Sequence, residues 1–198
     1  MQKKSAKIAM FLLEGDTEEA LYKAIFDRFL DIRIPRKYKN LESGSGINRS
    51  VAKNLEYYLK CNADKTVYCY VLIDREGPRS KIPEFDGEAI LSALKCKRLV
   101  RVEKIEAIQM IESWFFHDIE GICDYIGLKF SKNLQRKYDN TEQLTRKDLA
   151  DLFRKGTKIL YYKKGDKSFL MSLNLDKIYQ KSKELKGGIS MIMSDFLT

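Results

Sequence analysis

The sequence predicts an α/β protein with a mainly parallel central sheet that is flanked by helices. Two apolar runs support this prediction, Ile8 to Leu13 and Val67 to Ile73, because strands that are buried on both faces of a parallel sheet lack a polar alternation. Between them, Asp16 to Leu30 repeats apolar residues at helical spacing, which predicts a helix packed on the sheet. This order of strand, helix and strand is typical of the α/β class.

The remaining elements of the predicted core follow in order up to residue 117. Ile32 to Tyr38 predicts a short strand that is either at an edge of the sheet or poorly formed, because Pro35 cannot donate a hydrogen bond to a neighbouring strand. Apolar spacing then predicts two helices, a strand and a buried helical segment, at about 48–60, 87–96, 99–105 and 107–117.

The last third of the chain is predicted to add a β-hairpin and a helix. Lys158 to Tyr162 and Ser168 to Leu173 have the composition of two strands around the turn residues Gly165 and Asp166. A loop-rich stretch and a short helix precede the hairpin, at 128–144 and 145–153. The final helix, about 175–185, is predicted to stop at Gly187-Gly188, because glycine favours helix C-termini.

Positive charge is concentrated in the C-terminal third, which divides the chain into two predicted parts. Residues 1–128, a predicted α/β core, hold 21 basic and 20 acidic side chains. Residues 129–198, a basic extension packed on that core, hold 16 and 8, so they contribute +8 of the net +9. Such a surface suits a polyanion such as nucleic acid, although lysine-rich surfaces also serve solubility alone.

Several protein classes are disfavoured by the apolar runs and the cysteines. No apolar run approaches the roughly 20 residues that span a bilayer. We expect no signal peptide, because the first apolar run is only six residues long and ends in Glu14 without a cleavage site. The cysteines lack C-x-x-C spacing and fit the reduced thiols of a cytoplasmic protein better than zinc ligands or disulfides: Cys61, Cys69, Cys96 and Cys123.

Acidic residues follow both of the strongest predicted strands. Glu14 comes directly after the first strand, and Asp74 and Glu76 follow the second. Because the carboxyl ends of parallel strands meet at the edge where α/β sheets bind ligands, we expect these carboxylates to lie together. Clustered acids repel each other unless a cation lies between them, and Mg²⁺ prefers oxygen ligands. The sequence therefore predicts a Mg²⁺ or Mn²⁺ site, with chance recurrence as the alternative.

Four further features allow two interpretations each. Glu112 lies in a strongly apolar segment, where it needs either a cationic partner or a place among the other acids. The single histidine, His117, is either a helix-end residue or a base. The stretch Glu42 to Gly46 is either a flexible turn or a phosphate-binding loop before a helix. Tyr161 and Tyr162, among lysines, either stack on nucleic-acid bases or belong to an ordinary amphipathic hairpin.

Two motifs resemble the toprim domain. Glu14-Gly15-Asp16-Thr17-Glu18-Glu19 follows an apolar strand, and Ile73-Asp74-Arg75-Glu76 follows about sixty residues later. Toprim is the metal-binding α/β module of primases, topoisomerases, the OLD nucleases and several small RNases and DNA-processing proteins. The segment Ile111 to His117 is also similar to the Glu-x-Trp segment of small stand-alone bacterial toprim-like proteins, including the RloB-like group. The resemblance implies a Rossmann-like toprim fold over roughly residues 5–120.

The resemblance also implies roles for individual acids. Glu14 matches the family glutamate that acts as general acid or base and as a possible metal ligand. Asp74 and Glu76 match the Asp-x-Asp pair that binds Mg²⁺, although the second acid is here a glutamate and one methylene longer. Glu18, one helical turn after Glu14, would offer a further ligand as in nuclease members, and Glu112 corresponds to the acid of the Glu-x-Trp segment.

These features together predict a Mg²⁺-dependent nuclease or phosphoryl-transfer enzyme that acts on DNA or RNA, and the resemblance implies phage defence as its setting. Lysines of the basic extension are expected to contact the nucleic acid, so that binding weakens as salt rises: Lys158, Lys163, Lys164 and Lys167. The alternative is a non-catalytic toprim-fold subunit that binds or regulates a protein partner of the same system. A dinucleotide-dependent oxidoreductase is disfavoured, because no glycine fingerprint follows either strand.

Overall fold

A parallel sheet forms the centre of the fold. The computed structural model describes residues 6–41, 46–75 and 85–197, with only the backbone of Asp16 and Thr17. Within these residues the sheet has four strands in the order β2-β1-β3-β4, and all neighbouring strands are parallel. The strands are β1 Ala6–Leu13, β2 Arg36–Asn40, β3 Lys65–Asp74 and β4 Leu99–Ala107. The predicted α/β class with a mainly parallel sheet is confirmed.

Helices cover both faces of this sheet. In the described part of the chain they are α1 Asp16–Phe29, α2 Ile47–Cys61, α3 Gly87–Leu94, α4 Ile111–Phe115, α5 Ile119–Ile126, α6 Lys132–Lys137, α7 Arg146–Phe153, α8 Lys167–Ser172, α9 Leu175–Lys181 and α10 Lys183–Leu197. Two 3-10 turns lie at Phe116–Asp118 and Thr141–Gln143. Across the described ranges, none of these helices has both the length and the apolar character to cross a membrane.

The central strands β1 and β3 are buried on both faces, as their continuous apolar runs predict. Alternate residues of β1, such as Phe11 and Leu12, enter two separate apolar clusters. Helices α2 and α3 cover one cluster, and α1 with the C-terminal helices covers the other. Residues from both sides of position 128 share that second cluster, for example Phe115 and Phe169, whose ring centroids are 5.6 Å apart. The boundary between core and extension stays a prediction.

Strand β2 lies at one edge of the sheet, as Pro35 predicts. The strand begins at Arg36, directly after the proline. The Pro35 carbonyl still accepts a hydrogen bond from the backbone N–H of Ala9 at 2.9 Å. Proline can accept but not donate, so it is tolerated at this position.

Helix α10 is tied to the opposite edge of the sheet and to its centre by Asp195. The Asp195 carboxylate accepts a hydrogen bond from the Tyr70 hydroxyl at 2.6 Å and pairs with Arg101 at 2.9 Å. The Lys7 ammonium donates to the Asp195 backbone carbonyl at 2.9 Å. The first and last described elements of the chain therefore contact each other directly.

The predicted C-terminal β-hairpin is wrong. Residues 158–163 form an irregular segment, and most of the second predicted strand is helix α8. The Asp166 carboxylate accepts hydrogen bonds from the backbone N–H groups of Ser168 and Phe169, at 2.9 and 3.3 Å, and so begins a helix rather than a strand. Phe169, Leu170 and Leu173 are buried, which is a helical spacing.

The predicted helix stop at Gly187-Gly188 is also wrong. Helix α9 already ends at Lys181, and the Ser182 hydroxyl accepts a hydrogen bond from the backbone N–H of Leu185, which starts α10. Helix α10 then passes through both glycines. A Cβ atom on Gly188 would lie 2.7 Å from Ile105 Cδ1, so Gly188 allows the helix to pack closely on β4.

Candidate functional site

Four acidic side chains meet near the carboxyl ends of β1 and β3. Asp74 is the last residue of β3, and Glu14 directly follows β1. Glu18 comes from the first turns of α1, and Glu112 from α4, which follows β4. The charges of Glu18, Glu112 and Glu14 all act on Asp74. Glu14 and Asp74 thus lie at the same edge of the sheet, and the assignment of these acids as a site stays a prediction.

Asp74 is an acid whose charge the fold disfavours. Burial raises the pKa of its carboxyl group to about 8, and the negative charges of Glu18, Glu112 and Glu14 add to this effect. Its Oδ1 accepts a hydrogen bond from the backbone N–H of Ile111 at 3.0 Å, which opposes the rise in pKa only in part. That contact ties the end of β3 to the first residue of α4, where backbone N–H groups lack helical partners.

Glu112 joins the acids and is held by a tyrosine rather than by a lysine or arginine. Its side chain is only 3% exposed, and its Oε1 accepts a hydrogen bond from the Tyr162 hydroxyl at 3.2 Å. Burial and the Glu112 charge raise the pKa of Tyr162 well above its ordinary value, so the phenol keeps its proton and donates.

Glu18 and Tyr22 each have a buried polar atom that lacks a hydrogen-bond partner among the described residues. Glu18 is 5% exposed, and its Oε1 lies 3.4 Å from the Lys164 ammonium. Its Oε2 and the Tyr22 hydroxyl are buried and have no hydrogen-bond partner among the described residues. Burial, followed by the charges of Asp74 and Glu18, raises the pKa of Tyr22 well above its ordinary value. Buried polar atoms of this kind are expected to face a polar ligand.

Gly15 provides space for Glu18 at the start of α1. Its φ of −174° is extended backbone that any residue adopts, so the backbone conformation at this position does not require a glycine. A Cβ atom at this position would lie 2.7 Å from Glu18 Oε2. Gly15 is also the N-cap residue of α1, and Glu19 pairs with Lys23.

A divalent cation fits the chemistry of these side chains. All the donors are carboxylate oxygens, the ligands that Mg²⁺ prefers, and Glu18 Oε2 is buried without a donor from the described residues. Within residues 6–41, 46–75 and 85–197, however, no three histidine, cysteine, aspartate or glutamate side chains are grouped as a metal site. Glu76 lies outside the described residues. The Mg²⁺ or Mn²⁺ site stays a prediction.

A cleft of about 600 Å³ opens beside Asp74 and Glu112. Its walls combine these two acids with three basic side chains, one thioether, one phenol and two small residues: Asp74, Met110, Glu112, Thr145, Arg146, Lys147, Ala150, Tyr162 and Lys164. Acids that suit a cation and bases that suit an anion thus line the same space. This combination matches the two needs of a phosphate ester bound next to a metal ion.

The four predicted nucleic-acid-binding lysines have different positions. Lys164 lines the cleft and contacts Glu18. Lys163 and Lys167 are close to Lys164 in sequence, and both are exposed. The Lys158 ammonium donates to the backbone carbonyls of Asp124 and Tyr125, at 3.1 and 3.0 Å, and thereby satisfies the C-terminal end of α5. Lys158 has a structural role in addition to any contact with a ligand.

The sequence prediction missed Arg146 and Lys147, which line the cleft from the first turn of α7. A signal for them was present in the sequence. Basic residues in the first turn of a helix oppose its dipole, which favours acids there, so a helix that begins Thr145-Arg146-Lys147 indicates another reason for the charge. Tyr22 and Tyr162 gave no comparable signal, because only their contacts across the fold identify them.

His117 lies apart from this cleft, in the 3-10 turn Phe116–Asp118. It lines a smaller cavity of about 90 Å³ together with Trp114, Lys181 and Glu184. Burial, followed by the charge of Lys181, lowers the pKa of His117 to about 4. The interpretation of His117 as a helix-end residue is therefore favoured over that of a base for the cleft.

Comparison with known proteins gives a single likeness of fold to report. A scan against protein-family models and a search of curated proteins give no match. The solved structure of the C-terminal region of the Burkholderia pseudomallei OLD protein is similar to this chain at 16% sequence identity and a TM-score of 0.48. The similarity covers 94% of this chain and 97% of the other. At this level, the functional assignment depends on the side chains of the site itself.

Proposed function

We propose that this chain is a toprim-type nuclease that cleaves phosphodiester bonds of DNA or RNA with the help of Mg²⁺ or Mn²⁺. The observation that supports the proposal is the cleft in which Asp74 and Glu112 adjoin Arg146, Lys147 and Lys164. Few ligand classes need acids and bases in the same space, and a phosphodiester attacked beside a divalent cation is one of them. Phage defence is the setting that we propose for this activity.

The acids and bases of the cleft have separate roles in this proposal. Glu14, Glu18, Asp74 and Glu76 would hold the ion, with Glu112 as a further ligand, and the ion would stabilise negative charge on the phosphate oxygens. Arg146 and Lys164 bind the phosphate and fix its orientation.

Glu14 is the proposed proton acceptor because it is the most exposed of the acids that the structure describes in this group. A water oxygen attacks the phosphorus, and the bond from phosphorus to the sugar oxygen breaks. The proton of the water passes to the Glu14 carboxylate, and the departing sugar oxygen takes a proton from solvent. Glu18 and Glu112 are too deeply buried to exchange protons with solvent as readily.

Labelled DNA and RNA strands test this proposal with Mg²⁺, with Mn²⁺ and with EDTA. We expect the wild type to cleave only with metal, and Glu14→Gln and Asp74→Asn to lose at least ~100-fold in rate, as expected when a charge that stabilises the transition state is removed. Glu56→Gln is the matched control, because Glu56 is exposed on α2, across the sheet from the cleft. Cleavage in EDTA, or equal rates for all variants, would contradict the proposal.

The second candidate is a toprim-fold subunit that binds nucleic acid or a protein partner without turnover. It is favoured by the lack of a formed three-ligand group within the described ranges and by the contact of Lys164 with Glu18. Titration calorimetry separates the two candidates. Mg²⁺ binding that Asp74→Asn abolishes supports the nuclease, whereas no heat with Mg²⁺ or Mn²⁺, together with metal-independent binding of a strand or a protein, supports the second candidate.

A further inference from the structure

Residues 157–164 form a segment, here called the strap, that connects α7 to α8 across the edge of the cleft. Its beginning is fixed to α5, because the Thr157 hydroxyl donates to the Gly127 carbonyl at 2.7 Å and the Lys158 N–H donates to the Ile126 carbonyl at 3.2 Å. Leu160 packs on the apolar cluster below. The strap is therefore held in place at several points, although it is irregular.

Side chains of the strap alternate between the protein interior and solvent. Leu160 and Tyr162 are partly buried, whereas Ile159 is 89% exposed and Tyr161 is 71% exposed. Two large side chains, Ile159 and Tyr161, are thus accessible to a ligand on a backbone that is held in place.

Of the two neighbouring tyrosines, Tyr161 is the one available to a ligand. The Tyr162 ring packs against Phe153 and Phe169, with centroids 5.7 and 6.0 Å apart, and its hydroxyl donates to Glu112. Of the two interpretations of Tyr162, stacking on a base is therefore disfavoured.

Tyr161 is also next in sequence to residues of the candidate site. Tyr162 follows directly and contacts Glu112, and Lys164 follows three positions later and contacts Glu18. Lys163 and Lys164 are exposed enough to meet a phosphate. A strand whose phosphates reach the cleft would thus pass the Tyr161 ring.

We propose that Tyr161, with Ile159 beside it, is a stacking platform for an unpaired base, and that the substrate class is single-stranded nucleic acid. The inference rests on the proposed function in that it takes the cleft to hold a phosphate. Two exposed side chains are too few for a protein interface, which buries about 800 Å² per partner, but one ring is enough for one base. In a duplex the base faces are covered by their neighbours, so the platform selects unpaired strands.

Fluorescence anisotropy with labelled single-stranded 12-nucleotide DNA and RNA in EDTA tests the platform without cleavage. We expect Tyr161→Ala and Tyr161→Leu to weaken binding by roughly 5- to 150-fold, the effect of removing one base–aromatic stack, and Tyr161→Trp to keep or improve it. Tyr57→Ala is the matched control, because Tyr57 is 72% exposed on α2, on the other side of the sheet. A duplex of the same sequence should bind more weakly to the wild type.

An abasic strand of the same length provides the critical comparison. It keeps the phosphates but offers no base to stack, so it should bind the wild type and Tyr161→Ala equally. If the wild type binds the abasic strand as tightly as the intact one, or if Tyr161→Ala and Tyr57→Ala bind alike, the platform is wrong. Failure of the nuclease proposal would look different. The protein would then not cleave the labelled strands, but Tyr161→Ala would still weaken binding of the intact strand.

Discussion

A carboxylic acid that keeps its proton at neutral pH alters how the metal-free protein responds to pH. The pKa of Asp74 is about 8 in the folded chain, against about 4 for an exposed aspartate, because burial and three glutamates disfavour its charge. Between these pH values the folded chain holds a proton that the unfolded chain has lost. The free energy of unfolding therefore falls as pH rises from about 4 to about 8.

Asp74→Asn should remove this pH dependence. Asparagine is always neutral and keeps an oxygen that can accept the hydrogen bond from Ile111. We expect the variant to match the wild type near pH 4 and to be more stable in EDTA at pH 8, by an amount on the order of several kcal/mol, since each unit of pKa corresponds to about 1.4 kcal/mol. Urea unfolding at pH 4, 6 and 8 measures the free energy of unfolding of both proteins. Asp124→Asn is the control, because Asp124 is exposed on α5. Parallel profiles for the wild type and Asp74→Asn would contradict the assigned pKa.

Which site residues can be predicted from sequence depends on how local their reasons are. Glu14, Glu18 and Asp74 were predictable because each lies at the end of a strand or in the first turn of the next helix. The partner of Glu112 was not, since the contact with Tyr162 joins residues 50 positions apart. The sequence suggested lysine or arginine as the partner of Glu112, whereas in the structure its hydrogen-bond partner is the hydroxyl of Tyr162.

At the scale of single elements, long apolar patterns identified the secondary structure, whereas short patterns were compatible with either a strand or a helix. The runs in β1 and β3 are continuous and flanked by turn signals, so no helical alternative fits them. Residues 168–173 are few enough to satisfy the spacing of a strand or of a helix. The Asp166 cap and the aromatic pocket around Phe169 decide for the helix.

The adjacent glycines of α10 give a test of how this helix packs. Alanine at Gly187 would meet nothing within 4 Å, so Gly187→Ala should stabilise the protein by roughly 0.5–1 kcal/mol through helix propensity. Alanine at Gly188 would place its Cβ 2.7–3.0 Å from three side-chain atoms of Ile105. Overpacking of this kind typically costs about 1–3 kcal/mol, so Gly188→Ala should be less stable than the wild type.

Urea unfolding of the two variants measures the difference under identical conditions. Gly187→Ala serves as the control for the change in propensity, since both substitutions add the same methyl group to the same helix. Equal stabilisation by both would show that α10 does not pack closely on β4.

At the scale of the whole molecule, the position of the positive charge matters more than its amount. Residues 129–198 have a net charge of +8, yet Lys158 is engaged with α5, and Arg146 and Lys147 line the cleft from α7. Charge alone predicted a polyanionic partner. Only the packing of the helices shows which cations adjoin the acids.

The salt dependence of nucleic-acid binding tests that arrangement. Each phosphate contact on a single strand contributes a slope of about −0.7 to the plot of log K against log salt. Arg146→Ala with Lys147→Ala should therefore weaken binding and make the slope shallower by up to about 1.4. Arg49→Ala with Lys53→Ala removes the same charges from the exposed surface of α2. This pair should change neither the affinity nor the salt slope much. Anisotropy titrations between low and moderate salt measure both, and equal effects of the two pairs would show that net charge alone attracts the strand.

The contact of Asp195 with Lys7 also determines when this protein can finish folding. The two residues are 188 positions apart, so at about 5–20 residues per second a ribosome needs roughly 10–40 s to reach α10 after it has made β1. Until then, the part of the sheet face that α10 covers is open, and parallel strands already pair slowly because their contacts are distant in sequence. Helix α10 thus closes a core whose strand β1 was made much earlier, and the nascent chain depends during that interval on whatever keeps its apolar face from other chains.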